Sequence, residues 1–391
     1  MEENLSEEEN KEKCLTSEEP KITKNKYKLF LSLSLLLTLI ASSIIIILYL
    51  NLSNEKSEKE NNENKNNQKN IEKNNEECIK YDNNKKCIKC NSYYELINNT
   101  CKPTFSFKAL YQNEKNISQD LINRKYRNRI LRLIVDDQDK DIATSYLFNT
   151  TGNHTIYMLL NITQMEKIEE MFSGISSLVS INFTYLFDTK NIISFRKMFY
   201  DCKKLSYINI SLFNTHNITD LAYLFSGCSS LKSIDLSNFI IDNLKIMVGI
   251  FNGCSSLTSI DLSHFKTEKV THINNLFNGC YSLTSIDLSN FNTENVIYME
   301  YLFNGCVNLT SIDLSNFNTK NVKYMECMFN GCKKLKYLDI SHFSNISNPR
   351  SYSGFCSFIS SSGGIIKVSK NFVENIAKYI PNTWEIILVD N

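Results

Sequence analysis

Phe199, Phe225, Phe251, Phe277, Phe303 and Phe329 recur every 26 residues, and Cys202, Cys228, Cys254, Cys280, Cys306 and Cys332 keep the same step. A fixed period of this length predicts a solenoid in which each copy stacks on its neighbour and all share one apolar interior. Such a chain presents repeated surface rather than one unique catalytic corner.

A single copy has two parts. Ile286 and Leu288 alternate with Ser285, Asp287 and Ser289, the period of a half-buried strand. Val296, Met299, Leu302, Phe303 and Cys306 then fall at helical steps, which predicts one or two turns of helix. Gly305, with Gly227, Gly253, Gly279 and Gly331, would take positive φ where the chain turns back. One strand and one short helix per copy is the leucine-rich-repeat plan, an α/β fold with a parallel sheet on one face and short helices on the other. The copy at 238–254 departs from it: Ile241 stands where Thr267, Thr293 and Thr319 stand, and Gly249 is added, so a local irregularity is expected.

The clear repeats span 165–345, with Ile175 in the cysteine column of the first rung. Fading copies at both ends are expected of caps. Residues 104–164 read as a β-rich N-terminal cap, with strands at Leu131–Val135, Tyr146–Phe148 and His154–Leu160. Residues 346–391 read as a C-terminal cap, with strands at Ile365–Val368 and Trp384–Val389 around a helix at Asn371–Tyr379.

The run Asp313-Leu-Ser-Asn-Phe317-Asn-Thr-Lys-Asn-Val322-Lys-Tyr-Met325-Glu-Cys-Met328-Phe329-Asn-Gly331-Cys332 closely resembles the repeat of BspA-like leucine-rich-repeat surface proteins. The resemblance covers about residues 165–345. It implies a solenoid with a parallel sheet, display on the cell surface, and a role in adhesion or surface interaction.

Upstream, the order is different. Residues 1–28 form a short tail, acidic near Met1, that is too small for a core. Leu29–Leu50 carries no charge and would reach about 33 Å as a helix, enough to cross a bilayer core. Lys21, Lys24, Lys26 and Lys28 flank its N-terminal side, so the tail is expected inside and the rest outside, a single-pass type II anchor in the plasma membrane. The rival is a cleaved signal peptide, whose apolar core is shorter and nearer Met1. Residues 51–77 contain ten Asn and only Leu52 and Ile71 as large apolar side chains, so they read as a disordered linker.

Residues 78–103 hold Cys78, Cys87, Cys90 and Cys101. Outside the cell, four close cysteines read as two disulfides in one of three connectivities; a four-cysteine zinc site, which favours two CxxC pairs, is the rival. The segment resembles a furin-like or growth-factor-receptor-type cysteine repeat. The six periodic cysteines read instead as free buried thiols, since a slot that accepts Ile175 is apolar.

Asp235, Asp261, Asp287, Asp313 and Asp339 fall on the outward side of successive strands, with Ser237, Ser263, Ser289, Ser315 and Ser341 beside them. Stacked about 5 Å apart, such carboxylates would raise one another's pKa or attract Ca²⁺ or a basic surface. The plainer reading is a solvated face whose carboxylates accept bonds from neighbouring groups. Asn98, Asn116, Asn149, Asn153 and Asn161 are among the glycan-acceptor sequons.

A net charge of +1 gives no bulk attraction to nucleic acid. No phosphate loop, HExxH or cofactor motif appears, and Ser263, His264 and Asp287 resemble a triad only because Ser and Asp recur in every rung. His264 and His342 occupy a slot held elsewhere by Asn, which reads as solvated. The chain is therefore expected to be no enzyme and to need no cofactor. Its expected partners are the bilayer, through Leu29–Leu50, and an unknown protein or glycan at the cell surface. The alternative is a structural coat glycoprotein without a specific ligand.

Overall fold

The computed structural model describes strands at 78–81, 87–90, 94–97 and 100–103, and residues 105–390 except 115–116, 163, 184–188, 345–351 and 358. The expected tail, membrane helix and linker at 1–77 lie outside the described residues. Among the described residues, no helix is long and apolar enough to cross a membrane.

Short hairpins come first. β1 (Cys78–Tyr81) pairs antiparallel with β2 (Cys87–Cys90), and β3 (Tyr94–Ile97) with β4 (Thr100–Pro103). β5 (Phe105–Asn113) then begins the N-terminal cap. It is followed by β6 (Ser118–Asp120), β7 (Ile130–Val135), β8 (Gln138–Lys140), β9 (Ser145–Leu147) and β10 (Gly152–Leu160). The strands read from sequence near 131, 146 and 154 are therefore present. β5 was not expected, yet it is central: Phe105, Phe107, Ala109 and Tyr111 alternate inward and are buried, the period of a half-buried strand.

β5 joins cap to repeats. It pairs antiparallel with β10 on one side and with β11 (Leu178–Phe183) on the other, and β11 pairs parallel with β12 (Tyr207–Asn209). The six-stranded order is β12-β11-β5-β10-β7-β8. Phe107 meets Phe172 edge-on at 5.0 Å, which seats the first rung on the cap.

The repeats stack in register. Successive rings from Phe199 to Phe329 lie face to face, with centroids 5.7, 6.1, 5.9, 5.7 and 5.7 Å apart. Each rung buries the same set; in one copy these are Leu283, Leu288, Phe291, Val296, Met299, Leu302, Phe303, Cys306 and Leu309. Burying such large side chains contributes about 1.5–3 kcal/mol each, and a rung alone has nothing to bury them against.

The path within a rung differs from expectation in two ways. The segment 296–306 is not helical. Its amides alternate between two partners: Met299, Tyr301, Phe303 and Gly305 N–H donate to Tyr324, Glu326, Met328 and Asn330 carbonyls of the next rung, while Asn304 and Cys306 N–H close four-residue turns within their own by donating to the Tyr301 and Phe303 carbonyls. Bonding to a neighbour removes the i→i−4 bonds a helix requires. The parallel ladder accordingly lies on this side, as bridges linking Lys167, Ser194, Asp220, Ile246, His272, Tyr298 and Tyr324. The expected strands at 231–310 are not formed as regular strands and make sparse inter-rung bonds; among the described residues of the repeats downstream of β12, the formed strands are β13 (Ser311–Asp313) and β14 (Tyr337–Ile340).

The rung at 238–254 keeps its register, contrary to the expected irregularity: Ile246 bridges both Asp220 and His272. Gly249 occupies the left-handed position that Tyr223, Asn275, Tyr301 and Cys327 hold elsewhere. A Cβ there would stand 2.7 Å from the Tyr223 ring, so Gly makes room for that ring. The anticipated glycine column does take positive φ, from 71° to 79°.

The chain ends on β15 (Gly364–Ser369), α1 (Lys370–Ile376) and β16 (Trp384–Val389). Ser369 caps α1 by accepting from Phe372 N–H. These elements extend a parallel sheet in the order β13-β14-β15-β16.

Candidate interaction surface

Three outward strips run along the stack. On the first, Asp235, Asp261, Asp287, Asp313 and Asp339 line up as expected, but each carboxylate is engaged locally. Ser237, Ser263, Ser289 and Ser315 N–H donate to the Asp two residues earlier at 2.9 Å, and Ser341 N–H to Asp339 at 3.1 Å. This is the Asx turn that bends the rung into its corner.

The consequence for charge is the reverse of the expected mutual elevation. Hydrogen bonds from Ser237, Ser263 and Ser289 hold Asp235, Asp261 and Asp287 below the usual carboxylate range. Burial pushes Asp339 up, but Ser341, Tyr337 and Lys367 outweigh it and the net displacement is also downward. Asp339 alone of the five is buried, where Lys367 reaches it at 3.5 Å.

The second strip follows the bridge ladder and was not singled out in the sequence. His272, Tyr298 and Tyr324 stack with centroids 4.4 and 5.2 Å apart. Two residues further on, Asn274, Glu300 and Glu326 form a parallel row. Asn274 Oδ1, Glu300 Oε2 and Glu326 Oε2 are buried atoms with no hydrogen-bond partner among the described residues. Burial, with the charge of Glu326 added, raises Glu300 above the ordinary carboxylate value. The 26-residue spacing of His272, Tyr298 and Tyr324 is the signal that would have found this strip.

The third is a groove of ≈ 610 Å³ lined by Asn191, Asn217, Asn243, Thr219, Lys245 and Lys269 among others. Asn243 donates to the His216 carbonyl of the preceding rung, and Lys269 donates to Asn243 Oδ1 at 2.8 Å.

Between these strips lie polar ladders that bind rung to rung. Thr293 Oγ1 donates to the Asn318 carbonyl at 3.0 Å and accepts from Asn318 N–H at 2.8 Å, and Thr267 does the same with Asn292. Ile241 fills that column with a buried alkyl group instead. The slot of His264 is not merely solvated. His264 Nε2 lies 2.8 Å from the Leu236 carbonyl, and Asn316 donates to Leu288, Ser289 and Phe291 carbonyls from the same slot. Ser263, His264 and Asp287 are thus occupied with turns and inter-rung bonds.

The six periodic cysteines are free and buried, as their column predicts. Each thiol donates to a phenylalanine carbonyl of the preceding rung at 3.0–3.2 Å, from Cys202 on Phe172 to Cys332 on Phe303. Burial pushes the Cys254 and Cys332 thiols up to about 12. Cys356 is also buried, whereas Cys327 is partly exposed. All eight cysteines in the described residues are free; the side chains of Cys78, Cys87, Cys90 and Cys101 lie outside them. Of the sequons, Asn149 and Asn153 are exposed, Asn161 is partly covered, and Asn98 and Asn116 lie outside the described residues.

A family model described as "Mycoplasma protein of unknown function, DUF285" matches residues 163–260 and 247–361, together a little over half of the chain. The chain belongs to that repeat family, in keeping with the BspA-like likeness of its repeat. Among solved structures, it is similar to a leucine-rich repeat protein from Bacteroides ovatus ATCC 8483, at 18% identity over 58% of this chain and 76% of that one; with a TM-score of 0.27 that likeness carries no argument. A search of curated proteins gave no match.

Proposed function

We propose that the chain is a membrane-anchored surface protein whose repeat stack makes adhesive or protein–protein contacts. The observation that carries this reading is the in-register repetition of outward strips, which multiplies one weak contact along the stack. Membership of a repeat family with surface-protein likeness supports it. On this reading Leu29–Leu50 holds the chain in the plasma membrane in type II orientation, and the stack stands outside the cell. It acts by contact and without catalysis, on a protein or glycan partner, and not on nucleic acid.

The partner-facing strip is the one along His272, Tyr298 and Tyr324, since the aspartate strip is spent on its own turns. Cells bearing the full chain should bind a partner surface saturably, and Tyr298→Ala with Tyr324→Ala should weaken that binding while surface level stays constant. Equal binding by the double variant would transfer the role to another strip. No binding at high copy number would favour the coat reading.

Outside the cell, the hairpin cysteines would be oxidised. The backbone register sets Cys78 opposite Cys90, so we favour that pair, leaving Cys87 with Cys101. Non-reducing peptide mapping tests it. Glycosidase treatment tests occupancy at Asn149 and Asn153.

A further inference from the structure

The apolar interior of the stack does not close at its C-terminal end. β14, β15 and β16 carry two rows of core side chains in register, Leu338–Ile366–Ile386 and Ile340–Val368–Leu388. The first two members of each row are fully buried. The last are open: Ile386 is 41% exposed and Leu388 49%. On the opposite face of the same strand Ile387 is 36% exposed. β16 is also the outermost strand on its side of the sheet, so one edge of its backbone has no strand partner among the described residues.

An edge of this kind is normally blunted by charge. The chain follows that rule at the other end of the molecule, where the outermost strand β8 reads Gln138-Asp139-Lys140. β16 reads Trp-Glu-Ile-Ile-Leu-Val, with no lysine and apolar groups on both faces. Its complement must therefore be another extended strand that is apolar on both faces.

We propose that β16 pairs with β16 of a second copy of this chain, antiparallel about a two-fold axis perpendicular to the sheet. Such an axis keeps each strand's core face on the same side. Centred on Ile387, the pairing sets Ile386 against Leu388 of the second copy, Leu388 against its Ile386, and Ile387 against itself. Glu385 meets Val389, and Trp384 meets Asp390, so no like charges are opposed. The two core rows of one copy run on into those of the other, and two open ends become one continuous interior. The molecule already uses this device once. At the N-terminal end the antiparallel strand β5 seals the parallel pair β11–β12, and Ala109 buries Ile181. On this proposal the sealing strand at the C-terminal end is β16 of the second copy, laid against the outermost described strand on that side of the sheet.

The test is cross-linking of the full chain in cell membranes. Ile387→Cys places a thiol at the two-fold axis, where mild oxidation should shift most of the chain to a disulfide-linked dimer on a non-reducing gel. Tyr281→Cys, an exposed position on the flank of the stack, controls for chance encounters among thiols, and the wild type controls for native ones. Adding Leu388→Lys to Ile387→Cys should abolish the dimer without altering surface level. Light scattering on the full chain in mild detergent should give twice the protomer mass, reduced to one protomer by Ile386→Lys with Leu388→Lys. The proposal is overturned if Ile387→Cys dimerises no more than Tyr281→Cys, if it links to a chain of different mass, or if the lysine variants stay dimeric.

Discussion

The two ends of the repeat stack are finished differently. At the N-terminal end, Phe105, Phe107, Ala109 and Tyr111 of β5 lie across the first rungs, and the core side chains Phe172, Ile181 and Phe183 are sealed to 1% exposure or less. At the C-terminal end, α1 and β15 bury Phe372, Ile376, Ile366 and Val368, yet the next row outward surfaces at Ile386 and Leu388. A stack of identical rungs has no intrinsic stop, since every rung offers the next one an apolar face and a row of free amides and carbonyls. Termination must be supplied by a piece of different sequence. The described residues cover the N-terminal end completely and the C-terminal end only in part.

This contrast can be broken by substitution. The largest effect is expected at the sealed end. Phe107→Ala removes a fully buried ring in contact with Phe172 and Phe183, and should cost about 3–5 kcal/mol in chemical unfolding. Leu388→Ala at the open end should cost less than about 1 kcal/mol in the dissociated chain, because half of that side chain already meets water. Equal costs would show that the two ends are equally covered.

Within the stack, Thr293→Val should cost about 1–3 kcal/mol, since it leaves both the amide and the carbonyl of Asn318 without their hydroxyl partner. The chain's own variant, Ile241, shows that an alkyl group fits the column, so the loss would report the two hydrogen bonds rather than a clash.

Acid should act on the two carboxylate strips in opposite directions. Asp235, Asp261 and Asp287 have folded-state values below the unfolded one, so their contribution is present above the unfolded value and is lost as pH falls through the folded one. Glu300 has a raised folded-state value, so the folded form binds its proton more tightly and gains stability as pH falls through that value. Glu300→Gln should raise the melting temperature at pH 7 and narrow the difference as the pH is lowered towards the ordinary carboxylate range. A variant that melts lower than wild type at pH 7 would mean that the backbone hydrogen bonds to the Glu300 carboxylate outweigh the cost of its burial.

The smallest effect sharpens the cysteine assignment. Under native conditions, peptide-resolved thiol labelling should modify Cys327 first among the described cysteines, while Cys202 through Cys332 of the buried column and Cys356 react only with unfolding.

Much of this was legible in residue spacing. The phenylalanine and cysteine columns, the glycine turns and the C-terminal strand–helix–strand could be read because each reflects burial or a backbone angle that a single residue type reports. The helix at 296–306 was misread because a wall of tight turns and a helix both point every third or fourth side chain inward. The choice between them rests on where the amides donate, and Phe303 N–H finds Met328 in the next rung. The aspartate strip was located correctly, but its chemistry was not, because the donor that lowers each carboxylate is a backbone amide that no side-chain pattern reveals. β5 was overlooked because its partners, β10 and β11, are far along the chain.

In-register stacking is the claim beneath all of this, and an engineered disulfide tests it most directly. Tyr298 and Tyr324 are bridge partners in neighbouring rungs, so Tyr298→Cys with Tyr324→Cys should form an intramolecular disulfide that mass spectrometry detects under mild oxidation. Tyr298→Cys with Lys334→Cys, which sets the second thiol outside the bridge ladder, should not. Cross-linking of the offset pair in place of the matched pair would contradict the stack.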